Sequence, residues 1–201
     1  MLNFIKDGGP FMWLLISTSL VSLTYIIERG WALRWTRIVP DAVGSAVESC
    51  RGRSDVPMLQ RVCEQNPSPA SRLLLAASNH LDWPIVENVD AIQTRARKEI
   101  ALMERGLVMV EVVVGIAPLL GLVGTIHGLI TIFSDFGKAS SGSNEALAKG
   151  IAFALNTTLM GLLIAIPSLV AWSYFTKKVE TLTIELETIC DEFVRRVYRH
   201  R

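Results

Sequence analysis

Hydrophobic positions in this chain follow two patterns. Three stretches are continuously apolar, and two others repeat apolar residues at steps of three and four. The continuous stretches are Pro10 to Ile27, with 18 residues and no charge, Val112 to Phe133, in which His127 is the one titratable side chain, and Gly150 to Phe175, with 26 residues and no charge. At a rise of about 1.5 Å per residue, roughly 20 residues cross a hydrocarbon core about 30 Å thick, so the pattern predicts three transmembrane helices. The periodic stretches place Ile85, Val89, Ile92, Ala96, Ile100, Met103 and Leu107 on one stripe, and Val179, Leu182, Leu186, Ile189, Phe193 and Val197 on another. Each stripe runs into a span with no evident breaker, so helices two and three are expected to continue out of the bilayer as long amphipathic helices. Narrow, near-heptad stripes suit packing within a bundle or between copies. The fold class predicted is an all-α integral membrane protein with three transmembrane helices, two of them extended into the cytoplasm.

The expected order is an interfacial segment over residues 1–9, a first span over 10–28, a cytoplasmic helical region over 29–107, a second span over 108–133, a periplasmic loop over 134–149, a third span over 150–175 and a cytoplasmic helix over 176–201. Within the cytoplasmic region, "NPSPAS" from Asn66 to Ser71, together with Pro40 and Pro57, breaks Trp31 to Leu81 into short helices. Asn144 is positioned to cap the helix that follows the loop. Formal net charge is only +1, but its distribution is informative. Eleven of the 20 Lys and Arg residues lie between Ile27 and Val112, and six follow Phe175. By the positive-inside rule the N-terminus is periplasmic and the C-terminus cytoplasmic. The first span is read as a retained anchor, because Glu28-Arg29-Gly30-Trp31 follows it in place of a small-residue cleavage site. Its Ser17, Thr18, Ser19, Ser22 and Thr24 are expected to bond back to their own helix. Cys50, Cys63 and Cys190 lack metal-ligand spacing and are read as free thiols.

Small residues recur in the second span at Ala117, Gly121, Gly124 and Gly128, and in the third at Ala154, Thr158, Gly161, Ala165 and Ser168. In lipid such faces let backbones approach closely, so they predict a tight hairpin or a tight oligomer. Pro118 and Pro167 each remove a helical hydrogen bond and mark kink positions. With the span centres placed near Leu122 and Leu162, Thr125 and Thr158 fall at matching depth, about 5 Å to the outer side of the midplane. Asn156 and Thr157 lie beside Thr158, so hydroxyls and an amide gather at one level. Such groups either coordinate a proton or water, or simply fasten the helices together. His127 titrates near neutrality in its ordinary state, but two residues beyond Thr125 it faces away from that hydroxyl. Glu111, at the cytoplasmic end of the second span, reads as an interfacial residue. No Asp or Glu lies deep in any span, so any membrane proton acceptor is expected on another polypeptide.

These spans resemble a known family. "GIAPLLGLVGTIHGLI", Gly115 to Ile130, is similar to the "APLLGLLGTV.G" segment of the MotA/TolQ/ExbB proton-channel family, and "ALNTTLMGLLIAIPSLVAWSYF", Ala154 to Phe175, to its "AL.TT..GL..AIP" segment. The resemblance implies a subunit of an inner-membrane motor driven by the proton motive force. It implies a homo-oligomer, a pentamer, around a dimer of an ExbD/TolR-like single-span partner whose intramembrane Asp carries the proton. It assigns Thr125 and Thr158 to that partner's pocket, and Pro118, Gly121, Gly124, Gly161 and Pro167 to packing and kinks. Phe153 stands where some relatives carry a Glu, His127 and Asn156 are more polar than usual, and the long cytoplasmic insertion of flagellar relatives is missing. The first three are departures from the family pattern, and the short chain without that insertion favours the ExbB/TolQ branch over a flagellar or gliding stator.

A non-conducting oligomeric scaffold using the same small-residue faces is the competing expectation. An enzyme is not expected, since Ser134 and Ser168 lack a His at matching depth and neither a His-Glu metal motif nor a glycine-rich phosphate loop occurs. No cofactor, metal or nucleic-acid partner is expected, and the lipid bilayer is the expected surroundings.

Overall fold

The computed structural model describes residues 9–138 and 144–199 of the chain. Its helices are α1 (Gly9–Ala32), α2 (Trp35–Ile38), α3 (Asp41–Ser49), α4 (Val56–Gln65), α5 (Pro69–Asn79), α6 (Ile85–Glu104), α7 (Leu107–Lys138) and α8 (Asn144–Tyr198), with a 3₁₀ turn at Arg53–Asp55. No strand occurs among the described residues. Among the described residues, three helices are long and apolar enough to cross a membrane, namely Pro10–Ala32, Leu107–Ser134 and the helix containing Gly150–Tyr198. With 55 residues, α8 is about 80 Å long, far more than a bilayer needs, so part of it extends beyond any span. The chain is thus an all-α membrane protein with long helical extensions. The expected N-terminal segment, residues 1–8, and the loop tip at 139–143 lie outside the described residues, as does the side chain of Asn144.

Two boundaries differ from the reading of the sequence. The stripe leading into the second span is interrupted by a turn at Arg105–Gly106, which separates α6 from α7. Arg105 keeps right-handed helical angles, φ −47° and ψ −41°, and Gly106 is the poor helix former that the apolar periodicity concealed. At the other end, α7 continues to Lys138, beyond the expected end of the span at 133, while α8 begins at Asn144, next to the helix start expected there. Elongation costs little once a helix is nucleated.

The chain divides into two compact units. The first comprises the described part of Met1–Glu28 together with Gly106–Tyr174. Its small core is formed by Leu15, Val113, Ala117 and Ala165, with Leu120, Met160 and Ile164 packed against them. Met12, Leu15 and Ser22 form the one buried stripe of α1, while Trp13, Leu20 and Leu23 are exposed. Outward-facing Leu119, Ile130 and Val170 are likewise exposed, as suits a surface meant for lipid or for other helices. Ser17, Thr18 and Thr24 donate to carbonyls of their own helix, as expected.

The second unit comprises Arg29–Arg105 and Phe175–Arg201. The stripe on α8 buries Val179, Leu182, Leu186, Phe193 and Val197, each worth about 1.5–3 kcal/mol if fully removed from water. The short helices begin where proline and serine dictate. Pro40 precedes α3, Pro57 lies in the first turn of α4, and Ser68 caps α5 by accepting from the Ser71 amide at 3.1 Å. Helix α6 buries part of its predicted apolar stripe, Ile92 and Met103, on a face that it shares with polar residues. Ile85 and Val89 are exposed, and Asn88, Ile92, Glu99 and Met103 are buried. Asn88 donates to the Ala77 carbonyl and to Tyr198 Oη, both at 3.1 Å, though its own Oδ1 has no hydrogen-bond partner among the described residues, while Glu99 accepts two hydrogen bonds from Arg72.

Candidate functional site

In the membrane unit, α7 and α8 approach through their small residues. A Cβ built on Gly161 would lie 2.6 Å from the Ala117 carbonyl oxygen, and one on Gly124 would lie 2.5 Å from Thr157 Cγ2. The first is a backbone obstacle that cannot swing aside, so glycine is what allows this approach. Gly121 and Gly128 face Thr158 and Ala154 in the same seam, and Ala117, Ala154 and Ala165 are buried in this unit. The tight hairpin expected from the repeat is formed, with Pro118 and Pro167 inside unbroken helices.

Close approach brings Thr125 and Thr158 into mutual hydrogen-bond contact. Thr125 Oγ1 also lies 2.8 Å from the Ala154 carbonyl oxygen and 3.1 Å from that of Gly121, while Thr158 Oγ1 lies 3.2 Å from Gly121 O. Each hydroxyl has one proton to donate. Two arrangements therefore satisfy the cluster. Thr158 donates to Thr125, which donates to Ala154 O or Gly121 O, or Thr125 donates to Thr158, which donates to Gly121 O. Rotating two hydroxyls converts one into the other and reverses the direction of the chain. Both threonines are only half-buried in the chain alone.

The neighbouring candidates divide. Thr157 is 2% exposed and its methyl group packs toward Gly124, so it sits inside the hairpin. Asn156 is half-buried and makes no hydrogen bond among the described residues. His127 is exposed apart from a tilted ring contact with Phe11, centroids 5.5 Å apart, and does not join the threonine pair. Glu111 is exposed at the start of α7.

One membrane contact escaped the reading of the sequence. Ser22 and Ser168 are buried and bonded to each other at 2.7 Å, joining α1 to α8. Ser168 also donates to the Ile164 carbonyl at 2.8 Å, so its only proton is engaged and Ser22 must be the donor between them. A run of five Ser and Thr residues in α1 hides the one that reaches outward. Only the coincidence of Ser22 with the small-residue face of α8 could have signalled it.

Outside the spans, buried chemistry is structural. Cys50, Cys63 and Cys190 are free and buried, as expected, and burial pushes the Cys63 thiol up to about 11. Arg72 holds Glu99 at 2.8 and 2.6 Å in a two-pronged pair, with Arg95 Nε 3.6 Å from the same carboxylate. The Arg72 guanidinium is raised above its ordinary value by that hydrogen-bonded carboxylate.

Comparison with known proteins gives a consistent result. The sequence model of the MotA/TolQ/ExbB proton channel family matches residues 67–188. The ExbB-like 1 biopolymer transport protein of Synechocystis sp. is 35% identical over 85% of this chain and 68% of its own length. An ExbB-like 2 protein of Helicobacter pylori is 39% identical over 47% of this chain and 62% of its own. The Tol-Pal system protein TolQ of Pseudomonas aeruginosa is 27% identical over 94% of this chain and 86% of its own. The family match takes in the glycine seam and the threonine pair and extends over α5 and α6, whose sequence had carried no resemblance. The chain belongs to the MotA/TolQ/ExbB proton channel family, in its ExbB/TolQ branch.

Proposed function

We propose that this chain is an inner-membrane subunit of a motor driven by the proton motive force, with its N-terminus periplasmic and its C-terminus cytoplasmic. Several copies, five in this reading, surround an ExbD/TolR-like single-span partner and turn proton flow into mechanical work at the periplasm and outer membrane. The observation that carries the proposal is the hydrogen-bonded pair Thr125 and Thr158, half-buried beside two carbonyl oxygens. A hydroxyl can donate to a carboxylate and accept from a carboxylic acid. Hydroxyls with more than one acceptor in reach can therefore solvate a partner's Asp in both protonation states without new charge in the membrane. The absence of any acidic residue deep in the three apolar stretches supports a carboxylate supplied from outside the chain. Asn156, next to the pair, offers a further amide to a neighbour, whereas His127, on another face, is given no part in the relay.

The Thr158→Val variant keeps the side-chain shape and removes the hydroxyl. Assembled with the partner, it is expected to lose at least about tenfold of proton-coupled activity, the equivalent of one hydrogen bond to a charged group. The scaffold reading is favoured by a specific observation, that both hydroxyls also bridge α7 to α8 and so fasten the hairpin. Normal assembly with undiminished proton-driven activity in Thr158→Val would establish the scaffold.

A further inference from the structure

We propose that the cleft between α5 and α6 is a binding site for a phosphate group. The cleft has a volume of about 540 Å³, and its lining includes the cations Arg72, Arg95 and Lys98 but no carboxylate. Its construction is regular. Arg72 and Asn79 are seven residues apart on α5, Thr94, Arg95 and Lys98 share one face of α6, and the short side chains of Ala76 and Ala91 leave the space open between them.

The nearest counter-charge is hydrogen-bonded to Arg72 and reaches Arg95 only through a longer ion pair. Glu99 is 2% exposed and takes both prongs of Arg72, leaving Arg95 at 3.6 Å, outside hydrogen-bond range. Arg95 Nε is buried without a hydrogen-bond partner, and so is His80 Nδ1 on the same lining. Buried polar atoms in a folded protein are rarely left unmatched, and each costs about 1–3 kcal/mol when they are. Lys98 and Thr94 have no partner among the described residues, and the Asn79 carbonyl is engaged by Gln60 at 3.5 Å, which leaves its amide hydrogens free to donate. A guanidinium, an ammonium, a hydroxyl and an amide converging on one cleft form the donor set that a tetrahedral dianion or diester uses. A cationic ligand would meet the wrong charge.

Two sources can supply that group, the headgroup of an anionic lipid or a free phosphate compound. The test uses the full-length chain. Titration with inorganic pyrophosphate, followed by calorimetry, reports the soluble source. Retention of phosphatidylglycerol by protein extracted from mixed phosphatidylcholine and phosphatidylglycerol bilayers, read by native mass spectrometry, reports the lipid source. Arg95→Gln and Lys98→Gln are each expected to weaken whichever interaction occurs by at least about tenfold. Arg97→Gln, which removes equal charge from α6 outside the cleft, is expected to leave it within about twofold. Retention of lipid without pyrophosphate binding identifies a headgroup, and pyrophosphate binding identifies a free phosphate. Binding of neither, or equal loss in Arg97→Gln, overturns the proposal.

Discussion

Gly161 shows how one residue controls the membrane unit. A Cβ at this position would meet the Ala117 carbonyl at 2.6 Å and Gly121 Cα at 3.2 Å, so Gly161→Ala must push α7 and α8 apart. Overpacking of this kind costs about 1–3 kcal/mol, and the displacement would also stretch the Thr125 to Ala154 hydrogen bond. Gly44, on α3, has nothing within 4 Å of the same construction, and Gly44→Ala is expected to stabilise its helix by about 0.5–1 kcal/mol. Opposite signs for the two variants in denaturant unfolding would confirm this, and a neutral Gly161→Ala would refute it. Cys63 makes a different prediction. Its folded thiol ionises near 11, against an ordinary value of 9.0. The folded state therefore holds its proton more tightly, and the associated stability is complete below pH 9 and lost as pH rises toward 11. The loss amounts to at most about 3 kcal/mol. Comparing wild type with Cys63→Ala across that window isolates it, and alkylation of Cys63 near neutral pH should be slow until the bundle unfolds.

Among elements, the three spans and the amphipathic extension of α8 were legible in the sequence because apolar length and period report burial directly. Helix α6 was legible as a helix, but its end at Glu104 was not, and its orientation only in part. Its buried face carries Asn88 and Glu99, which hydropathy counts as exposed, and their partners Ala77 and Arg72 lie on another helix. The threonine pair was legible from depth alone, yet the Ser22 to Ser168 bond was not, since it depends on the rotation of α1 against α8. The Arg72 to Glu99 pair yields a test of the α5 to α6 contact. Arg72→Leu would leave a carboxylate that is 2% exposed with only its longer ion pair to Arg95, at a cost of up to about 3–5 kcal/mol. Replacing both residues by leucine removes the stranded charge, so the double variant is expected to be more stable than Arg72→Leu. Thermal unfolding of the two variants decides, and a double variant no more stable than the single one would mean that the pair contributes more by attraction than by satisfying burial.

For the molecule as a whole, the distribution of charge sets what the chain can do alone. Its spans offer hydroxyls, an amide and carbonyls, but no deep carboxylate to take up and release a proton near neutral pH. Hydroxyl chains reorient but do not hold an excess proton, because the ionised or doubly protonated hydroxyl is far too costly in a low-dielectric interior. Purified subunit in liposomes is therefore expected to show proton leakage indistinguishable from protein-free vesicles under an imposed gradient, measured with an entrapped pH-sensitive dye. Addition of a partner bearing a membrane Asp is expected to raise the rate, and Thr158→Val to reduce that increment while leaving the lone-chain baseline unchanged. Sustained conduction by the lone chain would place the acceptor within its own spans. His127 would then be the first residue to replace, because it is the only ionisable side chain between Val112 and Phe133.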